Sequence, residues 1–219
     1  MLSEYGRSGV SRVTHPFASL LVRMGVTANG ITLTGLVLTC AAAVALFGHG
    51  QLVAGAIVIA LCTLLDLVDG AVARAGGGGS PYGALVDAVS DRVADGVILS
   101  SLLWWLVHTE PGNRYALAML LACLVLSQVV SYSKARADAG GLRTPGGLME
   151  RADRLVLILL GAGLEGLGVP WALEVGLTAV AVGSLVTVIQ RVWGGRTDYL
   201  RRVAHEQATA APAPAPGDR

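Results

Sequence analysis

The sequence predicts an all-α, polytopic membrane protein with six transmembrane helices and an N-terminal amphipathic interfacial helix. Two observations favour this class: 53% of the 219 residues are hydrophobic, and only 14% are charged, whereas a soluble domain carries about 25% charged residues. A third is the alternation of long apolar runs with short polar breaks. Most runs approach the length of about 20 residues that a helix needs to cross the hydrocarbon core of a bilayer.

Residues 1–24 are predicted to form a separate N-terminal segment. In its second half, Val13, Phe17 and Leu20 share one helical face, and Arg23 lies toward the other. This pattern predicts a helix that lies in the plane of the membrane interface. A surface helix packed against the rest of the protein would show the same pattern, and that alternative stays open.

Residues 25–193 are predicted to be a transmembrane domain of six helices. No Asp, Glu, Lys or Arg occurs between Met24 and Leu65; this stretch is too long for one span, and the polar break at 48–51 divides it into two. The predicted helices lie near residues 29–47, 52–74, 84–107, 115–137, 152–168 and 172–191. Residues 194–219 end in alternating alanine and proline, and we expect a disordered cytoplasmic tail, because such a composition cannot bury a core.

Lysine and arginine are distributed asymmetrically between the two sides of the predicted domain. Six spans place both termini on one side, together with the loops 74–84 and 138–151. Of the 16 lysine and arginine residues, only Arg114 falls on the other side. The positive-inside rule therefore predicts a multi-pass protein of the cell membrane whose termini are cytoplasmic. The net charge of +1 gives no reason to expect nucleic acid as a partner.

Four aspartates lie in segments that otherwise look membrane-embedded. Asp66 and Asp69 close the second predicted helix, and Asp87 and Asp91 open the third. Their spacings of i, i+3 and i, i+4 place each pair on one helical face, and intramembrane charges of this kind mark functional sites. Because four like charges repel at low dielectric, we expect hard divalent cations, which prefer carboxylate ligands, and two ions could be held. A charged hairpin lining a pore or a cation carrier is the alternative.

A second, basic cluster lies at the same membrane face. Lys134 and Arg136 end the fourth predicted helix, Arg151 and Arg154 begin the fifth, and Arg191 ends the sixth. Basic side chains near a metal site suit a phosphorylated substrate, because guanidinium groups form charge-assisted hydrogen bonds with phosphate oxygens. Any one of these residues could instead be flanking charge that follows the positive-inside rule.

The aspartate stretch follows the pattern D-x2-D-G-x2-A-R-x8-G-x3-D-x3-D, which resembles the signature of the CDP-alcohol phosphotransferase family. The chain fills every fixed position, with Asp66, Asp69, Gly70, Ala73, Arg74, Gly83, Asp87 and Asp91. Within the family, it is most similar to the phosphatidylinositol phosphate synthases of actinobacteria, over the stretches 127–143, 146–154 and 188–191. One departure is Ala28, where many family members have proline; it affects the start of the first helix more than the chemistry.

The resemblance implies transfer of the phosphatidyl group from CDP-diacylglycerol to inositol phosphate, with Mg²⁺ as the cofactor and Mn²⁺ as the alternative metal. Asp66 and Asp87 would bridge two ions. Asp69 would complete the first ion's ligands and Asp91 the second's, and Asp91 would also be the catalytic base. The residues implied for CDP-diacylglycerol are Asn29, Gly30, Ile31, Thr32, Gly70, Ala73, Arg74 and Ser80. Those implied for inositol phosphate are Ser131, Lys134, Arg136, Arg154 and Arg191.

The resemblance also implies a homodimer embedded in membrane lipid. Asp95 continues the helical face of Asp87 and Asp91 but lies outside the pattern, so we interpret it as a polar neighbour. Glycerol 3-phosphate is the alternative acceptor, because it also carries a phosphate and the basic cluster does not separate the two. A divalent-cation transporter is the alternative of a different class, although the charged residues stop at the cytoplasmic half, which argues against a pore.

Overall fold

A computed structural model describes the chain at residues 27–75 and 80–210, except for the side chains of residues 65–75, 208 and 210. The described residues form six α-helices and one 3-10 turn and contain no β-strand, in agreement with the all-α prediction. The helices are α1 Ala28–Leu46, α2 Leu52–Ala75, α3 Pro81–Thr109, α4 Arg114–Ala139, α5 Arg151–Gly166 and α6 Ala172–Ala210, and the turn is Phe47–His49. The predicted interfacial helix lies outside the described residues.

The helices begin and end close to the predicted boundaries, apart from the end of α6. Side-chain caps fix several of the starts, because they satisfy N–H groups that have no partner inside the helix. Thr27 caps α1, Ser80 caps α3 and Asn113 caps α4, each accepting a hydrogen bond from a backbone N–H of the first turn. A capping box formed by Glu150 and Asp153 starts α5.

The six helices pack side by side in a closed ring, in the order α1, α2, α5, α6, α4, α3 and back to α1. Short connections make successive helices run in opposite directions. One end of this ring, which we call the motif end, holds the first turns of α1, α3 and α5 and the last turn of α4. The far end holds the turns at 47–51, 110–113 and 167–171. Residues distant in the sequence thus meet at the motif end.

Apolar side chains fill the ring and also cover its outside. Phe47, Ile59, Leu102 and Leu177 are completely buried in this core. Large apolar side chains that are about half exposed or more cover the outer faces, among them Val37, Leu61, Val125, Leu160 and Leu185. Soluble proteins rarely expose so much contiguous apolar surface. Among the described residues, three stretches are long and apolar enough to cross a membrane, Ala28–His49, Arg114–Ala139 and Ala172–Gln207. The chain has the surface of a membrane protein.

Helices α5 and α6 approach each other closely at two glycines. A Cβ atom on Gly176 would lie 2.9 Å from the carbonyl oxygen of Leu157, and one on Gly161 would lie 3.0 Å from that of Ala172. Both neighbours are backbone atoms, which cannot move away as a flexible side chain can. Small residues that let backbones approach are typical of helix pairs in membranes.

Helix α6 continues well past the predicted span. Its 39 residues correspond to about 58 Å at 1.5 Å per residue. Beyond the bundle it packs on the connection between α4 and α5, where Asp198 accepts a hydrogen bond from the Arg143 backbone N–H at 3.0 Å and pairs with Arg202 at 2.7 Å. The predicted disorder of 194–219 is therefore wrong over residues 194–210. The docking contact stabilises the helix near Asp198, and most residues from Leu200 to Ala210 are good helix formers. Residues 211–219 lie outside the described part.

Candidate active site

The motif residues of α2 occupy the last turns of that helix. Asp66, Asp69, Gly70, Ala73 and Arg74 all fall within Leu52–Ala75, and their side chains lie outside the described residues. The backbone nevertheless keeps the helical spacing on which their shared face depends, since residues three or four apart are neighbours on a helix surface.

The starts of α1 and α3 are in contact beside this segment. A Cβ atom on Gly83 would lie 3.2 Å from Oδ1 of Asn29, so the fixed glycine of the motif lets the two helices approach. Ser80 uses its hydroxyl to cap α3, accepting the N–H of Gly83 at 2.9 Å. Residues 29–32 lie at the start of α1, close to where the sequence predicts the first helix to begin. The described residues predicted to hold CDP-diacylglycerol thus lie together at the motif end.

Asp87 and Asp91 follow one turn apart on α3. Asp87 is exposed and Asp91 is partly buried, and both line the same cavity. Arg151 lies beside Asp91, with 3.0 Å between its Nη1 and the Asp91 Oδ1. Asp91 therefore already holds a positive partner in this arrangement.

The carboxylates of Asp87 and Asp91 fit a hard divalent cation, because carboxylate oxygens are the ligands that Mg²⁺ and Mn²⁺ prefer. Within the part of the chain that the structure describes, no three acidic, histidine or cysteine side chains converge on one point. Asp66 and Asp69 would be needed to complete the ligand set, and their side chains lie outside that part.

A cavity of about 900 Å³ opens at the motif end between α3, α4, α5 and α6. Its ionisable lining residues are Asp87, Asp91, Arg92, Tyr132, Lys134, Asp138, Glu150, Arg151, Arg154 and Arg191. Four of the five residues predicted to bind inositol phosphate line this cavity, namely Ser131, Lys134, Arg154 and Arg191. The fifth, Arg136, is exposed at the end of α4 and is not part of the lining. Asp87 and Asp91, the two predicted metal ligands whose side chains are described, thus line the same cavity as most of the predicted acceptor residues.

Two arginines in this cavity are almost completely buried. Arg154 is 2% exposed and Arg191 is 5% exposed. Each gives one N–H group to a backbone carbonyl, Arg154 to Met149 and Arg191 to Val130. Each also keeps a buried nitrogen without a hydrogen-bond partner in the described structure, Nη2 of Arg154 and Nε of Arg191. Because a buried charge with unused donors is costly, these side chains are suited to an anionic ligand.

The structure adds Arg92, which the sequence did not assign to the site, and it shows which groups Arg151 of the basic cluster contacts. Arg92 lies close enough to Ser131 for its Nη1 to donate to the serine hydroxyl, and Arg151 contacts both Asp91 and Asp95. Arg151 was recognised as part of the basic cluster, but nothing in its spacing pointed to Asp91. Arg92 directly follows Asp91 and precedes Asp95 by three residues, a helical pairing distance that could have identified it.

A model of the CDP-alcohol phosphatidyltransferase family matches residues 25–189. The chain belongs to this family. The match includes the whole aspartate motif and every cavity residue except Arg191, which lies two residues beyond it. The family resemblance inferred from the aspartate spacing is therefore confirmed.

Similar members of the CDP-alcohol phosphatidyltransferase family are named phosphatidylinositol phosphate synthase. The protein of Corynebacterium glutamicum is 41% identical over 219 residues, which cover 100% of this chain and 98% of the relative. The protein of Mycobacteroides abscessus is 44% identical, with 87% of each chain covered.

Two solved structures of Mycobacterium tuberculosis phosphatidylinositol phosphate synthase are also similar. The one with CDP-DAG bound has a TM-score of 0.79 and 44% identity, and the match covers 84% of this chain and 93% of that chain. The one in complex with manganese and citrate has a TM-score of 0.80 and 40% identity, and it covers 94% of this chain and 96% of that chain.

Proposed function

We propose that this protein is a phosphatidylinositol phosphate synthase, which transfers the phosphatidyl group of CDP-diacylglycerol to inositol phosphate and releases CMP. The observation that carries the proposal is the cavity that joins Asp87 and Asp91 to the buried arginines 154 and 191. It places carboxylates suited to a metal beside cations suited to a phosphorylated acceptor. Relatives of this name, 41% to 44% identical over most of the chain, support the choice of acceptor.

The metal site is proposed to consist of four aspartates. Asp66 and Asp87 would be ligands of both of two Mg²⁺ ions, Asp69 would be a ligand of the first and Asp91 of the second. Mn²⁺ is the alternative, supported by the relative solved with manganese. When bound, the ions supply positive charge against the pyrophosphate and the leaving CMP. The carboxylates contribute by fixing that charge at the depth where a lipid headgroup and a water-soluble acceptor can meet.

The donor site is proposed to lie at the starts of α1 and α3 and the end of α2. Its residues are Asn29, Gly30, Ile31, Thr32, Gly70, Ala73, Arg74 and Ser80. Gly70 has no side chain, which lets the nucleotide approach the helix, and Ala73 acts in the same way by being small. The absence of a side chain at Gly83 lets the two helix starts approach each other at Asn29, beside this site.

The acceptor site is proposed to be the cavity itself, with Ser131, Lys134, Arg154 and Arg191 around the phosphate. Arg136 belongs to this set by resemblance and acts from outside the cavity. The hydroxyl oxygen of the acceptor bonds to the phosphorus that carries diacylglycerol, and Asp91 takes the proton of that hydroxyl. The bond between that phosphorus and the CMP oxygen breaks, and CMP leaves with the electron pair. Arg154 and Arg191 hold the acceptor so that its hydroxyl faces this phosphorus.

The proposed setting is the cell membrane. All six helices cross the bilayer, and the motif end and both termini face the cytoplasm, because nearly all the lysines and arginines lie on that side. The protein is proposed to act as a homodimer.

The test is release of CMP by the purified protein in lipid nanodiscs that contain CDP-diacylglycerol and Mg²⁺. Inositol phosphate and glycerol 3-phosphate are supplied separately, and Asp87→Asn serves as the matched inactive variant. We expect fast release with inositol phosphate, little with glycerol 3-phosphate, and nearly none from Asp87→Asn or after chelation of the metal. Faster release with glycerol 3-phosphate would reassign the acceptor. Metal uptake without CMP release would favour the transporter.

A further inference from the structure

Asp95 is a buried carboxylate at the junction of α3, α4 and α5, outside the family motif. It is 7% exposed and lies one helical turn beyond Asp91. Its oxygens lie 3.3 Å from Nε of Arg151, 3.6 Å from Nη2 of Arg154 and 3.6 Å from Nη2 of Arg92. One acidic group thus faces three guanidinium groups that come from two helices. A surface carboxylate that only flanks a motif would not gather such partners.

The contact with Arg154 leaves that arginine available to a ligand. Nη2 of Arg154 is attracted to Asp95 at 3.6 Å, which exceeds hydrogen-bond distance, and it has no hydrogen-bond partner in the described structure. Asp95 therefore balances the charge of Arg154 without using the donor. An arginine buried to this extent is not oriented by bulk water. Its direction is set by the Met149 carbonyl, to which Nη1 donates, and by the charges beside it.

The other two arginines connect Asp95 to groups on both sides of the cavity. Arg151 reaches Asp95 through Nε and Asp91 through Nη1, at 3.3 Å and 3.0 Å. Arg92 reaches Asp95 through Nη2 and Ser131 of α4 through Nη1. The single carboxylate is thereby linked to the proposed base on one side and to the proposed acceptor site on the other.

We propose that Asp95 is a positioning residue that holds Arg151 and Arg154 in the orientation in which they receive the phosphate of the acceptor. This inference rests on the proposed function, because it presumes a phosphorylated acceptor in the cavity. Asp95 itself contacts the arginines and not the substrate. Its removal therefore affects acceptor binding through their orientation and leaves the donor site, at the starts of α1 and α3, unchanged.

The test variant is Asp95→Asn, which keeps the shape of the side chain and removes its charge. We expect the KM for inositol phosphate to rise about tenfold, as for the loss of a charge-assisted contact. The KM for CDP-diacylglycerol should stay within about twofold of the unmodified protein, because that lipid is held by other residues. Both constants come from steady-state CMP release at saturating Mg²⁺.

Glu174→Gln is the matched control. Glu174 is also a buried carboxylate, 9% exposed, but it lies at the far end, where Asn113 donates to it at 2.8 Å. The same isosteric loss of charge should leave both KM values unchanged. An equal rise of the acceptor KM in this variant would show that any buried charge loss disturbs the cavity and would overturn the specific role of Asp95.

A double-mutant cycle tests whether Asp95 acts through an arginine. Residues that contact each other give non-additive effects, whereas independent sites add. If Asp95 works through Arg154, the pair Asp95→Asn with Arg154→Gln should raise the acceptor KM little more than Arg154→Gln alone. If the fold-increases in acceptor KM from the two single variants multiply fully in the double variant, the proposal is overturned.

Asp95→Glu is the second variant, for the case that Asp95→Asn fails to fold. It keeps the charge but moves it by one methylene, so an unchanged acceptor KM in Asp95→Glu would equally overturn the proposal.

The outcomes separate this inference from the proposed function. If the unmodified protein releases no CMP with inositol phosphate, the proposed function fails, whatever the variants do. If it releases CMP and Asp95→Asn keeps the same acceptor KM, or raises only the KM for CDP-diacylglycerol, the function stands and the role of Asp95 is wrong.

Discussion

Arg191 illustrates what burial means for a single cationic side chain in this protein. Its side chain is 5% exposed, one N–H donates to the carbonyl of Val130, and Nη2 lies 3.8 Å from Oε1 of Glu150. A flanking charge that followed the positive-inside rule would extend toward water. Arg191 instead points into the cavity, which favours the phosphate-binding interpretation over the flanking one.

Arg191→Gln is expected to raise the KM for inositol phosphate roughly ten- to a hundredfold, because a charge-assisted contact contributes about 1.5–3 kcal/mol. The KM for CDP-diacylglycerol should change little. The measurement is steady-state kinetics with each substrate varied in turn. Arg114→Gln removes the same charge at the far end, where α4 begins and the side chain is exposed, and should alter neither constant. If only the KM for CDP-diacylglycerol rose, the basic cluster would bind that lipid and its assignment to inositol phosphate would be wrong.

At the residue scale, the sequence identified most of the cavity because helical spacing is a local property. The pairs formed by the motif aspartates, and the basic residues at helix ends, follow from counting along one helix. The environment of Asp95 could not be derived in this way. It depends on α5 packing across from α3, and Arg151 is 56 residues away in the sequence, so no local spacing signals the contact.

At the scale of elements, the interface of α5 and α6 depends on backbone approach. Gly176→Ala is expected to lower the free energy of unfolding by about 1–3 kcal/mol, as for overpacking in general. The new methyl group would lie 2.9 Å from the carbonyl of Leu157, and the two helices would have to separate. Thermal unfolding of the purified protein in detergent measures the effect.

Gly96→Ala is the control for this substitution. Gly96 also lies inside a helix, and a Cβ atom there meets nothing within 4 Å. It should not destabilise the protein, since alanine is the better helix former. Equal destabilisation by both substitutions would mean that the cost comes from changing a helical glycine and not from the contact between α5 and α6.

Helix ends were predictable where capping residues mark them, as at Ser80 and Asn113. The C-terminal end of α6 could not be predicted in this way. The alanine- and proline-rich end of the chain concealed a preceding stretch of good helix formers, and the first proline of that end, Pro212, comes two residues after the helix ends at Ala210. The docking of Asp198 on Arg143 depends on the fold and leaves no trace in composition.

At the scale of the whole molecule, orientation in the membrane is the principal prediction. Single cysteines at His49 and Gly146, in a background that lacks Cys40, Cys62 and Cys123, should label differently with an impermeant reagent applied to intact cells. His49→Cys lies at the far end and should react, whereas Gly146→Cys at the motif end should react only after permeabilisation. The reverse pattern would invert the proposed topology and place the cavity outside.

The ring order of the helices could not be predicted from the sequence. Apolar residues surround each helix, so a single apolar stripe that would select neighbours is missing. The order is set by side-chain fit, such as the close approach at Gly161 and Gly176, and by the few polar contacts between helices.

Asp95 is synthesised before the two arginines of α5 with which it pairs. A ribosome adds roughly 5–20 residues per second, so the 56 residues between Asp95 and Arg151 correspond to about 3–11 seconds of synthesis. During that interval α3 exists and α5 does not. Arg92, three residues before Asp95 on the same helix, is already present and lies 3.6 Å from it in the finished protein. It can accompany the carboxylate into the bilayer until the two arginines of α5 arrive.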